Sequence, residues 1–344
     1  MIDNYIPAYA GKYQLLKLMS SYLINEKIFI PSVYCFVFVY IFRFMLVMRR
    51  EDWFLVWMGL EINIISFLVL IYKRNDIMTV ESCLKYFFVQ GIGSALLVRI
   101  FYLNQYVMGG IFFVILRYRV GAGPFFFWFP SLCSGLEWGS CYILMTFQKI
   151  LPLLLINILV HWRLWYIIIF RLLIGILGSF NQNNLKQLMA YSSIHHLGWI
   201  IIVIIFNVRW FIYILIYILV LFRVVGLLIN EDIINLCIIY NSEFKIFFFI
   251  RILRIAGIPP LLGFYLKWIA LINILNYRII YIFILVLVSV VILYIYIQII
   301  YDVLFKEVSE VVVEFHFMNN IYNVEVISIV GLILGIMIGV YVMI

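Results

Sequence analysis

The chain has 344 residues, of which 67% are hydrophobic and only 12% charged, with a mean hydropathy of +1.16. No soluble core hides that much apolar surface, and a soluble domain carries about twice that charge density, so the composition defines an integral membrane protein. The net charge of +8 does not point to nucleic acid, because bases such as Arg49, Arg50, Lys73, Arg74, Arg209 and Arg278 fall at the ends of apolar runs, where they meet lipid headgroups.

In chain order, residues 1–28 lack the short basic-then-apolar layout of a signal peptide and read as a surface extension. Residues 29–344 then read as a single transmembrane domain. At about 20 apolar residues per crossing, about eleven helical spans follow. They lie near 29–49, 53–72, 81–103, 106–123, 138–159, 160–179, 188–207, 209–230, 246–276, 279–304 and 325–344, the ninth long and interrupted. The runs are continuously apolar rather than alternating, so the fold class is all-α and not a barrel. Basic residues follow spans of either parity, which leaves the orientation open. Cys35, Cys83, Cys133, Cys141 and Cys237 have no metal-ligand spacing and read as small buried hydrophobes.

The second span, WFLVWMGLEINIISFLVLIY, carries Glu61 at its ninth position. A charge at mid-membrane depth costs roughly 2.5–3.5 kcal/mol on insertion scales, so an intramembrane carboxylate is a functional candidate. The other acids fall in loops or at span edges, whereas Arg99, Arg117, Arg119, Lys149, Arg171, Arg223, Arg251, Arg254 and Lys267 lie within or close to apolar runs. One buried acid facing several bases suits a polar axis through the bundle. For Arg99, Arg171 and Arg223 the competing reading is a long side chain snorkelling to the interface. Lysine, unlike arginine, changes its proton affinity readily on burial, which favours Lys149 and Lys267 as proton carriers.

Two spans are interrupted, at LRYRVGAGPFFFWFP (116–130) and RIAGIPPLLGFYLKW (254–268), with breaks expected at Gly121, Gly123, Pro124, Pro259, Pro260 and Gly263. Broken helices free backbone groups, which the membrane tolerates only beside protein or water, and paired breaks mark transport sites. A base accompanies each one: Arg119 lies two residues before Gly121, and Lys267 four after Gly263. The stretch NQNNLKQLMAYSSIHHLGW (181–199) offers Asn183 or Asn184 as the cap of a helix starting near Leu185. Within that helix Lys186, His195 and His196 are possible relay groups, histidine being the usual relay near neutral pH, with packing against neighbours as the other reading. GIG (91–93) and GAG (121–123) follow no strand and do not form a dinucleotide site, and no metal or haem ligand set is evident.

The motifs WMGLEINIISF, ESCLKYFFVQ, GPFFFWFP, YILMTFQKILP, NQNNLKQLMAYSSIHHLGW and AGIPPLLGFYLKW stand in an order that resembles the subunit 2 family of mitochondrial NADH dehydrogenase, among the antiporter-like membrane-arm proteins of respiratory complex I. The resemblance covers residues 50–270; residues 1–28 have no counterpart in it. It implies inverted repeats, each with a broken helix, around a central hydrophilic axis. It places the family's glutamate at Glu61 and its lysines at Lys149 and Lys267. It further implies a mitochondrial inner-membrane location, neighbouring antiporter-like subunits as partners, and bound phospholipid. FMN, iron–sulfur clusters and ubiquinone are expected on other subunits, with no cofactor or metal in this chain.

Three positions depart from the family pattern. Arg119 stands where the family has lysine, Phe126 replaces the histidine of PFHFW, and Ser131 replaces the acid after FWxP. Arginine cannot release a proton under these conditions, which gives Arg119 the role of a fixed counter-charge to Glu61 and Lys149 the loading step. The expected function is proton translocation driven by electron transfer in other subunits. Its rivals are a stand-alone cation/proton antiporter and a non-pumping structural subunit.

Overall fold

The structure, a computed structural model, describes residues 31–48, 53–73, 76–102, 108–121, 125–158, 165–180, 182–206, 210–230, 233–239, 245–258, 261–275 and 279–305. The expected surface extension at 1–28 and the expected span at 325–344 lie outside these residues, as do the expected breaks at Gly123, Pro124, Pro259 and Pro260. Among the described residues the chain is helical, and the only extended pairing is an isolated antiparallel bridge between Asn184 and Asn235.

The helices are α1 (Pro31–Met48), α2 (Trp53–Ile71), α3 (Ile77–Tyr102), α4 (Met108–Val120), α5 (Trp128–Gly135), α6 (Trp138–Met145), α7 (Phe147–Ile158), α8 (Trp165–Ser179), α9 (Leu185–Ile205), α10 (Trp210–Asn230), α11 (Leu236–Ile239), α12 (Lys245–Ala256), α13 (Leu262–Leu275) and α14 (Ile279–Phe305). Five described stretches are each long and apolar enough to cross a membrane: Phe54–Ile71, Trp138–Asn157, Leu185–Ile205, Trp210–Ile229 and Ile282–Tyr301. Large apolar side chains such as Phe38, Met45, Leu177, Leu219 and Phe283 face outward, as lipid-facing positions require.

Helices α1 to α4 pack in sequence order, α5 folds back onto α3, and α7 packs on α4. A second group is formed by α10, α12, α13 and α14. Between the groups runs α9, which touches α5, α6, α7, α8, α10 and α13. It is 89% buried, against 33% for Ile282–Tyr301 at the periphery, so a helix that carries a lysine, two serines and two histidines is the central one. Its start follows from Asn184, whose side chain accepts a hydrogen bond from the Lys186 amide at 2.9 Å and so caps the first turn. The flanking bridge then fixes that end: the Leu185 amide donates to the Ile234 carbonyl, and the Leu236 amide to that of Asn183.

Both interrupted spans are broken, each at a glycine with positive φ. α4 ends at Gly121 (φ 68°), and the chain resumes as α5. α12 ends at Gly257 (φ 80°), a left-handed residue that closes the last turn by donating to the Leu253 carbonyl at 3.1 Å. Gly263, expected at the break, instead lies in the first turn of α13. A Cβ there would come within 2.0 Å of the Arg254 carbonyl oxygen, so its role is to let two half-helices touch.

A third interruption was not expected. The span at 138–159 divides into α6 and α7 at Thr146 (φ −116°, ψ −82°), whose hydroxyl donates to the Tyr142 carbonyl at 2.6 Å. Pro152 in α7 has no N–H to offer the carbonyl four residues earlier, that of Gln148, so the helix is weakened on both sides of Lys149. On this geometry Gly263→Ala should cut the amount of folded chain recovered from the membrane several-fold. Gly226→Ala, where an added Cβ meets nothing within 4 Å, should leave it unchanged; immunoblotting of membrane fractions compares the two.

Candidate functional site

The breaks place polar side chains in the centre of the bundle. Glu61 lies half-buried on α2, between Leu60 and Asn63, which both line an internal cavity. Across that cavity, Arg119 ends α4 and Lys149 begins α7, respectively 4% and 5% exposed. Glu61 and Arg119 are within electrostatic reach of one another but form no direct ion pair. Among the described residues, the ion pairs are Lys73 with Glu137 and Lys85 with Glu81 (2.6 Å), all four residues at the surface.

Gln90 of α3 fixes Arg119 from both ends. Its side-chain amide donates to the Arg119 carbonyl at 2.9 Å, and the guanidinium donates back to the Gln90 carbonyl at 3.4 Å. The arginine stem lies over Gly93, where a Cβ would come within 2.9 Å of its Cγ, so the GIG triplet makes room for this side chain. The cavity holds about 20 Å³, room for a water. Four of its lining residues bury a polar atom that no protein group meets: Asn63 Oδ1, Arg119 Nε, Trp128 Nε1 and Gln148 Nε2. Such a polar, enclosed space suits water rather than vacuum.

Beyond the cavity the row continues through α9. The Lys149 ammonium sits 4.6 Å over the Phe129 ring and donates to Ser193 Oγ at 2.9 Å. One turn further along α9, His196 Nδ1 lies 3.3 Å from the Tyr213 hydroxyl, with its ring against Tyr217. Lys267 and, more weakly, Lys149 are both within electrostatic reach of this imidazole. Lys267 is buried on α13 and donates to the Ala256 carbonyl at 2.6 Å, at the buried C-terminal end of half-helix α12. The Tyr217 hydroxyl is buried near Ser193.

The remaining expected relay groups have local duties. Trp199 Nε1 donates to His195 Nε2 at 3.0 Å, and the His195 backbone packs against Gly175 of α8. Lys186 donates to the Leu136 carbonyl at 2.6 Å, just past the end of α5, with its ammonium 5.8 Å from the Trp138 ring. Ser131 donates to the Trp128 carbonyl of its own helix at 2.9 Å. Arg99 and Arg223 lie exposed on the bundle, as snorkelling requires. Sequence reasoning missed Arg43, Gln90, Gln148 and Tyr213. Arg43 gave the same signal as its neighbours, a lone base inside an apolar run; the two glutamines and the tyrosine gave none.

An antiporter-like membrane protein is the class that this fold and buried basic row define. Residues 50–107 and 98–293 match the family described as NADH:quinone oxidoreductase/Mrp antiporter, transmembrane. The chain is 37% identical over 259 residues to NADH-ubiquinone oxidoreductase chain 2 of Anopheles gambiae, covering 70% of this chain and 76% of the relative. It superimposes on a chain of respiratory complex I from Thermus thermophilus with a TM-score of 0.74 at 21% identity, over 95% of this chain and 83% of the other. A chain of the Mrp complex from Dietzia sp. DQ12-45-1b gives 0.63 at 17% identity, over 74% and 57%. The chain belongs to the NADH-ubiquinone oxidoreductase chain 2 family.

Removing the cation at the end of α5 tests the local reading of Lys186. Lys186→Met leaves the buried Leu136 carbonyl without its donor, expected to cost about 1–3 kcal/mol and lower the melting temperature of the purified assembly. Lys85→Met, which loses only an exposed pair, should leave it unchanged within error.

Proposed function

We propose that the buried row from Glu61 and Arg119 through Lys149, Ser193 and His196 to Lys267 carries protons within the bilayer. The chain is a membrane subunit of NADH:ubiquinone oxidoreductase, and electron transfer elsewhere in that enzyme drives the movement. FMN, iron–sulfur clusters and ubiquinone belong to other subunits; neighbouring membrane-arm subunits and lipid are its partners. Its location is the mitochondrial inner membrane.

The observation that carries this reading is a pair of buried amines, each at a helix break, Lys149 bonded to Ser193 on the central helix and Lys267 to the Ala256 carbonyl, with His196 of that central helix within reach of both. Buried charges interact strongly where few waters intervene, so a change in the Glu61–Arg119 arrangement is felt at Lys149. Lys149 then loads or releases its proton, and Ser193 and His196 connect it to Lys267. Arg119 keeps its charge throughout and biases the step without carrying the proton. Identity of 37% to a complex I subunit outweighs the stand-alone antiporter reading, which shares the fold.

Protons moved per NADH oxidised, measured in sealed vesicles, test the assignment. Lys149→Met and Lys267→Met should each lower that ratio. Arg119→Lys should preserve it, while Arg119→Ala should lower it as far as the lysine variants do. If both lysine variants pump at the wild-type ratio, the chain is a structural subunit.

A further inference from the structure

Arg43 of α1 is fully buried (0% exposed) and has no carboxylate partner. Its guanidinium donates to the side-chain oxygen of Gln148 at 3.2 Å and to the Phe147 carbonyl at 3.5 Å. It lies over two rings of its own helix, 3.6 Å from the centroid of Tyr40 and 4.7 Å from that of Phe44. The cation is therefore lodged in an aromatic cradle with its fork turned toward the first turn of α7. Nothing in the row described above uses it.

Both acceptors sit between two weak points of one span. Thr146 breaks the helix just before Phe147, and Pro152 leaves the Gln148 carbonyl without its helical donor. The next residue is Lys149. A turn so loosely held by its own backbone takes its position from what grips it from outside, and a planar guanidinium fork grips two acceptors with defined geometry. α1 is also held close against α2: at Gly59 of α2 an added Cβ would come 2.7 Å from Val47 and 3.4 Å from the Arg43 carbonyl. Gly59 lies two residues before Glu61. Arg43 thus ties the glutamate's helix to the turn that carries the lysine.

We infer that Arg43 is a positioning residue for proton transfer: by clamping Phe147 and Gln148 across the α6–α7 break, it sets where the Lys149 amine lies between the cavity and Ser193. This rests on the proton-carrying reading of Lys149. The groups facing Arg43 are Tyr40 on its own helix, Tyr86 of α3, which also lies within reach of Arg119, and Gln148 of α7.

The test is a double-mutant cycle in the assembled complex, read as protons moved per NADH oxidised in sealed vesicles, with Lys149→Met in parallel. Arg43→Met keeps the bulk of the side chain and removes the fork; it should lower the ratio at least twofold. Gln148→Leu should lower it as well, and the double variant should fall no further than the worse single one, because both act on one turn. Arg43→Lys, which keeps the charge with a single point of attachment, should recover part of the loss. If the Arg43→Met complex does not assemble, Arg43→Lys carries the test, a lowered ratio supporting the clamp. A wild-type ratio in the Arg43 variant while Lys149→Met is impaired overturns the clamp alone, as do losses that multiply in the double variant. Wild-type pumping by Lys149→Met overturns the proton-carrying reading beneath it.

Discussion

A helix that stops inside a bilayer leaves its last carbonyls facing no water, and this constraint organises the bundle. Three helix ends answer it with a side chain from another element, and the α6 end with the hydroxyl of Thr146 on the Tyr142 carbonyl. The end of α4 is met by the Gln90 amide on the Arg119 carbonyl, the end of α5 by Lys186 on Leu136, and the end of α12 by Lys267 on Ala256. Two of the three donors are lysines, and a cation is the favoured partner for the negative end of a helix dipole. The polar row is therefore a consequence of breaking helices as much as a cause for it. At Lys267 the helix end and the proposed proton row call on the same amine.

The same constraint explains why α9 is central despite its polarity. Lys186, Ser192, Ser193, His195 and His196 would each be costly against lipid. Placed between the two helix groups, Lys186, Ser193 and His196 find partners on three other elements or turns, Leu136, Lys149 and Tyr213, while Ser192 and His195 pair within α9 with Met189 and Trp199. The peripheral α14, with no charged residue across Ile282–Tyr301, takes the lipid-facing position that α9 cannot occupy.

What the sequence showed, and what it hid, divides along the range of the interactions. Glu61, Lys149 and Lys267 stood out because a charge in an apolar run is legible by itself, and Asn184 because a cap is a local device. Gly257 did not. AGIPPLLG holds two glycines, and only the meeting of α12 with α13 decides that Gly257 takes the left-handed turn while Gly263 lies under the Arg254 carbonyl. Arg43, Arg99 and Arg223 carry the same sequence signal, yet the first is enclosed and the other two face outward. The difference is Gln148, 105 residues away, which no local pattern announces. The split at Thr146 was hidden for a related reason: a single proline inside an apolar run reads as tolerated until the carbonyl it abandons is located.

The bond from Lys267 to the Ala256 carbonyl has a further consequence. An ammonium carries three N–H donors and needs only one of them here. In the proposed transfer it gives up a proton, and the neutral amine still has N–H bonds to offer, so the helix end stays satisfied in both charge states. Arginine in this place would hold the carbonyl as well but could not discharge, and methionine could do neither. An amine is the side chain that lets a load-carrying joint change its charge without coming apart.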